Sequence, residues 1–167
     1  MEISTKQWYA VKTMSRAEKK IKERLDDLGV ENYLPLCTQI KKWSDRKKKV
    51  QSPLVPGYLF VYIFEEEYFT VLKVPGVVSF LKEDRKMVPI PAVQIDNLRY
   101  VVEKSTREIE FSFENIRVGD KVRIILGDLE GFEGELVDFR GKTRVAIRLH
   151  HFGCALTTVE MDEVMRC

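Results

Sequence analysis

The sequence predicts an α+β protein: an N-terminal α/β sandwich followed by a small all-β barrel. Three observations carry that expectation. Strand-like and helix-like segments alternate from Trp8 to Glu103. From Arg117 onward, short apolar/polar alternation is broken by Gly-rich turns and shows no helical period. The charge is divided as well: residues 1–62 carry 13 Lys/Arg against 7 Asp/Glu, and the rest of the chain carries 15 against 19. A basic front and a mildly acidic back point to a polyanion met by the front alone.

Trp8–Thr13, WYAVKT, reads as the first strand. A helix is expected over Ser15–Leu28, with Ser15 as cap and Glu18 closing a capping box. Ala17, Ile21, Leu25 and Leu28 form its apolar stripe, and Gly29 supplies a left-handed stop. Arg16, Lys19 and Lys20 lie off that stripe near the helix start, where cations oppose the helix dipole, so their placement favours an external use. Asn32–Trp43 is extended in character, Lys41–Lys49 reads as a loop, and Leu54–Phe64 as a strand. The unbroken apolar run in that strand suits burial on both faces.

A short helix over Glu66–Val74 ends at Pro75-Gly76, Val77–Leu81 is a further strand, and Val93–Glu103 a third helix with Ile95, Leu98 and Val102 on one face. The domains are therefore expected at 1–103 and 116–167. Residues 104–115 would link them, although Ile109, Phe111 and Phe113 alternate as a strand would.

Several function classes are disfavoured. No apolar run approaches 18 residues, and the N-terminus MEISTKQWYAV lacks the features of a signal peptide, so a cytoplasmic protein without a membrane span is expected. Cys37, Cys154 and Cys167 have no paired metal-ligand spacing. His150 and His151 are the only histidines, and with Cys154 they fall short of a convincing zinc set, so no metal or cofactor is expected. The sequence offers no Ser/His/Asp set, phosphate-binding loop or convincing carboxylate pair, which argues against an enzyme.

The strand WYAVKT, the basic helix, and a basic loop leading into PGYLFV together resemble the N-terminal domain of NusG-type transcription factors. GDKVRI and EGFEGELVDF resemble the KOW motif, and FGCALTTVEMDEV resembles the end of that barrel, so the likeness spans residues 7–166. It implies a monomeric factor that bridges the clamp helices of RNA polymerase to the opposite side of the cleft and resists pausing and termination. It also implies a KOW domain that recruits a ribosomal protein or a termination factor. On this resemblance Val55, Tyr58, Phe60, Val78 and Phe80 would form an exposed hydrophobic cavity for the polymerase coiled coil. Arg16, Lys19, Lys20, Lys41, Lys42, Trp43, Arg46, Lys47, Lys48 and Lys49 would face upstream or non-template DNA, with Trp43 stacking on an unpaired base.

Phe132 and Phe152 are candidate contacts for the KOW partner, with core packing as their other reading. Tyr68 and Phe69 occupy the region where relatives touch the far side of the cleft. Val55 departs from the family, which commonly has an aromatic residue there. The segment MSRAEKKIKERLDDLGVENYLP and the large basic loop look more like specialised paralogues of the RfaH and UpxY type, which act on selected operons such as those for polysaccharides. A housekeeping NusG is the alternative. A ribosome-associated RNA-binding protein is a third reading, disfavoured because residues 116–166 hold eight Lys/Arg against nine Asp/Glu.

Overall fold

The computed structural model describes residues 4–167, apart from the side chains of residues 39, 40, 41 and 43. The chain forms two compact units that divide between Ala92 and Val93. The first contains β1 (Gln7–Thr13), α1 (Glu18–Asp27), β2 (Glu31–Tyr33), β3 (Leu36–Trp43), β4 (Arg46–Pro53) and β5 (Tyr58–Ile63). A 3-10 turn at Glu65–Glu67 then leads into α2 (Tyr68–Leu72), β6 (Val77–Phe80), β7 (Lys82–Glu83) and β8 (Lys86–Met87).

The strand pattern sets the layers. β2, β5, β1 and β6 lie side by side in that order, antiparallel throughout. Ala10 pairs with Phe60, Trp8 with Tyr62 and Lys12 with Tyr58, so these six residues share one face of the sheet. Tyr9, Val11, Leu59, Val61 and Ile63 share the other, where they join Ile21 and Leu25 of α1, Val71 of α2 and Phe80 in one buried cluster. The β5 run is therefore buried on its helix-covered face by residues spaced two apart.

α1 departs from expectation at its start. It begins at Glu18, with Ala17 in the cap position and no side-chain cap. The Met14 amide donates to the Gly76 carbonyl at 2.8 Å, pinning the exit of β1 to the turn after α2. The chain must then reverse through Arg16, at φ 63°, before it can wind. Ser15 is used up in that reversal. The helix end is as expected: Gly29 takes φ 71°, and the Val30 amide donates to the Leu25 carbonyl at 2.9 Å. Leu28, assigned to the buried stripe, is instead 57% exposed.

The second unit holds α3 (Ala92–Lys104, which opens at the division), β9 (Ile109–Ser112), β10 (Asp120–Ile124), β11 (Glu133–Phe139), β12 (Lys142–Leu149) and β13 (Gly153–Thr158). A 3-10 turn at Met161–Glu163 and β14 (Val164–Arg166) complete it. The six strands run in the order β14-β10-β11-β12-β13-β9 over a cluster of Ile116, Val137, Phe139, Ala146, Cys154 and Leu156.

Residues 104–115 are not a free tether, because β9 pairs antiparallel with β13, placing Ile109 opposite Thr157 and Ser112 opposite Cys154. The alternation at Ile109 and Phe111 is that of a sheet strand. Thr106 donates to Asp128 Oδ2 from both its amide (2.5 Å) and its hydroxyl (2.8 Å). Arg107 holds both Glu163 oxygens and the Thr158 carbonyl, while Glu110 accepts from Arg140 and Arg144. Gly153 leaves the room β9 needs: a Cβ there would lie 2.5 Å from the Ser112 carbonyl oxygen and 2.8 Å from the Phe111 ring.

Gly153→Ala should therefore cost about 1–3 kcal/mol, the usual range for overpacking, and strip exchange protection from the Ile109–Ser112 amides. Unchanged denaturation and exchange would show that β9 tolerates the extra methyl. The Thr106 hydrogen bonds hold the Asp128 carboxyl below its ordinary pKa. A depressed carboxylate contributes stability above its unfolded value and loses it as pH falls through the folded one. The protection factor of the Thr106 amide, its exchange relative to the intrinsic rate at the same pH, should consequently fall on acidification below roughly pH 4, an effect absent in Asp128→Asn.

Candidate protein and nucleic-acid interface

On the sheet face opposite α1, Trp8 lies against Tyr62 with ring centroids 5.2 Å apart, and Tyr33 stacks on Phe60 at 6.4 Å. Phe60 is fully buried, with fully buried Ala10 directly across from it. The small partner gives the large ring its space, so Phe60 cannot be an exposed anchor. Val55 is also fully buried. Its carbonyl accepts from the Tyr58 amide at 3.1 Å in the Pro56-Gly57 turn, where Gly57 has φ 84°. A packed interior position sets the size of this residue, and a larger aromatic would have to displace core.

Phe80 points to the opposite face of the sheet, edge-on to Tyr9 at 6.3 Å and tilted against Tyr68 at 4.9 Å. The five residues expected to line one exposed cavity are thus divided between the two faces and the interior. Tyr58, partly buried, and Val78, half exposed, are the two that reach solvent. Val78 owes its exposure to a bulge, because the β1–β6 register slips between Lys12 and Thr13 and leaves it as the extra residue.

A second apolar surface in the same unit adds Leu28 to Phe69, the residue that the family resemblance sets toward the far side of the cleft. Phe69, 64% exposed, borders a groove of about 600 Å³ with Leu28, Val74 and Pro75, and Arg24 and Lys73 stand at its rim. Arg24 Nη1 donates to the Pro75 carbonyl at 2.7 Å and braces one wall. Leu28 belongs here rather than in the core because the helix stops beside it. The only signal available was its position next to the terminating Gly29.

The basic stretch is a β-hairpin rather than a loop. β3 and β4 pair along their full length, with Trp43 opposite Arg46 across the turn at Ser44-Asp45. Lys42 faces Lys47, and Lys41 faces Lys48 in the backbone register. By strand alternation Lys42, Lys47 and Lys49 project to one side, and Arg46 and Lys48 to the other. These five side chains are exposed, whereas the side chains of Lys41 and Trp43 lie outside the described residues. Like charges directly opposite one another destabilise a strand pair, so self-stabilisation does not account for this pattern. Lys19 Nζ donates to the Gln51 carbonyl at 2.9 Å, joining the α1 face to the hairpin base. Arg16 and Lys20 are exposed near the start of the same helix.

In the second unit Phe132 and Phe152 are each 8% exposed and do not form a free surface. Phe132 stacks on Tyr100 at 5.7 Å, and Phe152 packs with Phe111 and Phe113 at 5.4 and 5.3 Å. Among the described residues no three His, Cys, Asp or Glu side chains gather as metal ligands. No helix among them is long and apolar enough to cross a membrane.

Residues 6–99 match the family model described as transcription termination factor NusG. The transcription termination/antitermination protein NusG of Lactococcus lactis is 29% identical, over 93% of this chain and 89% of the relative. Its counterpart in Rickettsia felis is 27% identical, over 96% and 89%. A solved structure of Thermotoga maritima NusG, described in terms of its domain interaction, superposes with a TM-score of 0.54 at 25% identity and covers 97% of each chain. With its first unit matched by the family model and nearly its whole length aligned to these proteins, the chain belongs to the NusG family.

Proposed function

We propose that this chain is a transcription elongation and antitermination factor that binds RNA polymerase through its first unit and suppresses pausing or termination on selected operons. Family membership supports the polymerase partner, as do relatives named as transcription termination/antitermination proteins. The observation that carries the reading within the chain is solvent-reaching Tyr58 and Val78 in the same unit as a hairpin with six cations in nine residues. A protein surface and a polyanion surface on one body suit a ligand that is itself a protein–nucleic-acid complex. No bond need be made or broken. The factor acts by holding the two sides of the polymerase cleft in their closed arrangement.

In this reading Tyr58 and Val78 touch polymerase, and buried Phe60 and Val55 hold the sheet that presents them. Phe69 and Leu28 offer a second contact toward the other side of the cleft. The KOW-like unit receives its partner through exposed Leu126, Met161 and Met165 rather than through buried Phe132 and Phe152. Action on selected operons rests on the likeness of MSRAEKKIKERLDDLGVENYLP and the long basic hairpin to specialised paralogues, since phosphate contacts alone would hold any template equally. Genome-wide occupancy confined to a few long operons is expected. Occupancy on most transcribed genes would assign the housekeeping role instead.

Tyr58→Ala should weaken polymerase binding by about 1–3 kcal/mol, the usual range for a contact residue, with circular dichroism unchanged. Phe60→Ala should act on stability, costing about 3–5 kcal/mol in chemical denaturation. Normal binding by folded Tyr58→Ala would remove this face from the interface. Replacing Lys47, Lys48 and Lys49 together by Ala should spare binding to nucleic-acid-free polymerase. It should weaken binding to DNA-containing elongation complexes, by an amount that shrinks as salt rises. Equal affinity in every condition would leave the hairpin without a DNA role.

A further inference from the structure

Resting on the DNA-facing role just proposed for the hairpin, we infer that it enters the major groove of duplex DNA and meets phosphates on both walls at once. Lys42, Lys47 and Lys49 stand on one side of the ribbon, Arg46 and Lys48 on the other, and all are exposed. A ribbon lying flat on a phosphate backbone, or following a single strand, would use the cations of one side only. Those on the reverse would add repulsion and no contact. Two lines of phosphate, one per side, satisfy both sets, and the walls of a duplex groove supply two such lines.

Dimensions agree. A two-stranded ribbon fits the major groove, about 12 Å wide and 8.5 Å deep, and is excluded from a minor groove of about 6 Å. At about 3.4 Å per residue, the turn and the first three cross-strand pairs, Trp43–Arg46 to Lys41–Lys48, fill that depth. The acid in this stretch, Asp45, sits at the apex. That is the one part of an inserted ribbon that faces base edges rather than phosphates, and cytosine offers an amino donor there. Duplex RNA is a poor alternative, because its major groove is too narrow for side chains to read.

Full-length protein should be titrated against a fluorescent 25-base-pair mixed-sequence DNA duplex, its single strand and the matching RNA duplex, at low and moderate salt. The duplex DNA should bind several-fold more tightly than either alternative. Two double variants separate the sides: Lys47→Ala with Lys49→Ala, and Arg46→Ala with Lys48→Ala. Each should lower duplex affinity about tenfold at low salt and reduce the salt slope by about two. Guanine N7, which lies in the major groove, should be protected from dimethyl sulfate by wild type and less so by either variant.

If one pair alone weakens binding, if a single strand or RNA duplex is preferred, or if N7 stays reactive beneath bound protein, groove entry is overturned while a phosphate-binding hairpin survives. If neither pair alters affinity for any probe, the hairpin does not meet DNA, and the reading beneath this inference falls with it.

Discussion

The constraint on which the first unit depends is that β5 is apolar on both faces. Leu59, Val61 and Ile63 require cover on one side, Phe60 on the other, and all four are fully buried. Each such side chain contributes about 1.5–3 kcal/mol relative to exposure, as an upper estimate because the unfolded chain is itself partly collapsed. That demand places α1 and α2 on one face and gathers the aromatic residues on the other. It also fixes the hairpin, since β4 runs through the Pro56-Gly57 turn directly into β5. The hairpin base is therefore anchored by the core, and its charged end is free to answer to a ligand.

What could be read in the sequence was local. The strand at β1, the Gly29 stop, the third helix and the Gly-punctuated strands of the second unit all follow from periodicity and turn chemistry within a few residues. What could not be read depended on distant partners. Ser15 fails as a cap because Met14 is held by Gly76, more than sixty residues on. β9 shows its alternation in the sequence but not its place in a sheet, because β13, the strand that completes it, lies over forty residues away. The unbroken apolar run of β5 points to burial on both faces, and the fold agrees at Phe60; the exposed role expected there came from the family resemblance. The hairpin looked like a loop because lysine has little strand preference of its own, and pairing over eight residues overrides that preference.

The two units handle charge differently. In the second, acids and bases are matched internally: Arg148 with Glu135, Arg123 with Glu133, Arg107 with Glu163, Arg144 with Glu110. The more exposed of these, such as Arg123 with Glu133, add little stability, but together the pairs leave a surface with a weak net field. The hairpin has Asp45 alone against six cations and keeps its field for use outside the chain. A net charge of +2 for the whole chain therefore conceals one strongly directional source of attraction.

The bulge at Val78 has a bearing on self-association. β6 and β2 are the outer strands of the first sheet, four and three residues long, and β6 is kinked by its extra residue. Short, irregular borders give another chain little ladder to extend. Once folded, the sheet resists the growth that a stretch as aromatic and β-prone as YLFVYI would otherwise seed. The hazard then falls to the newly made chain, in the interval before β1 and β2 close around β5.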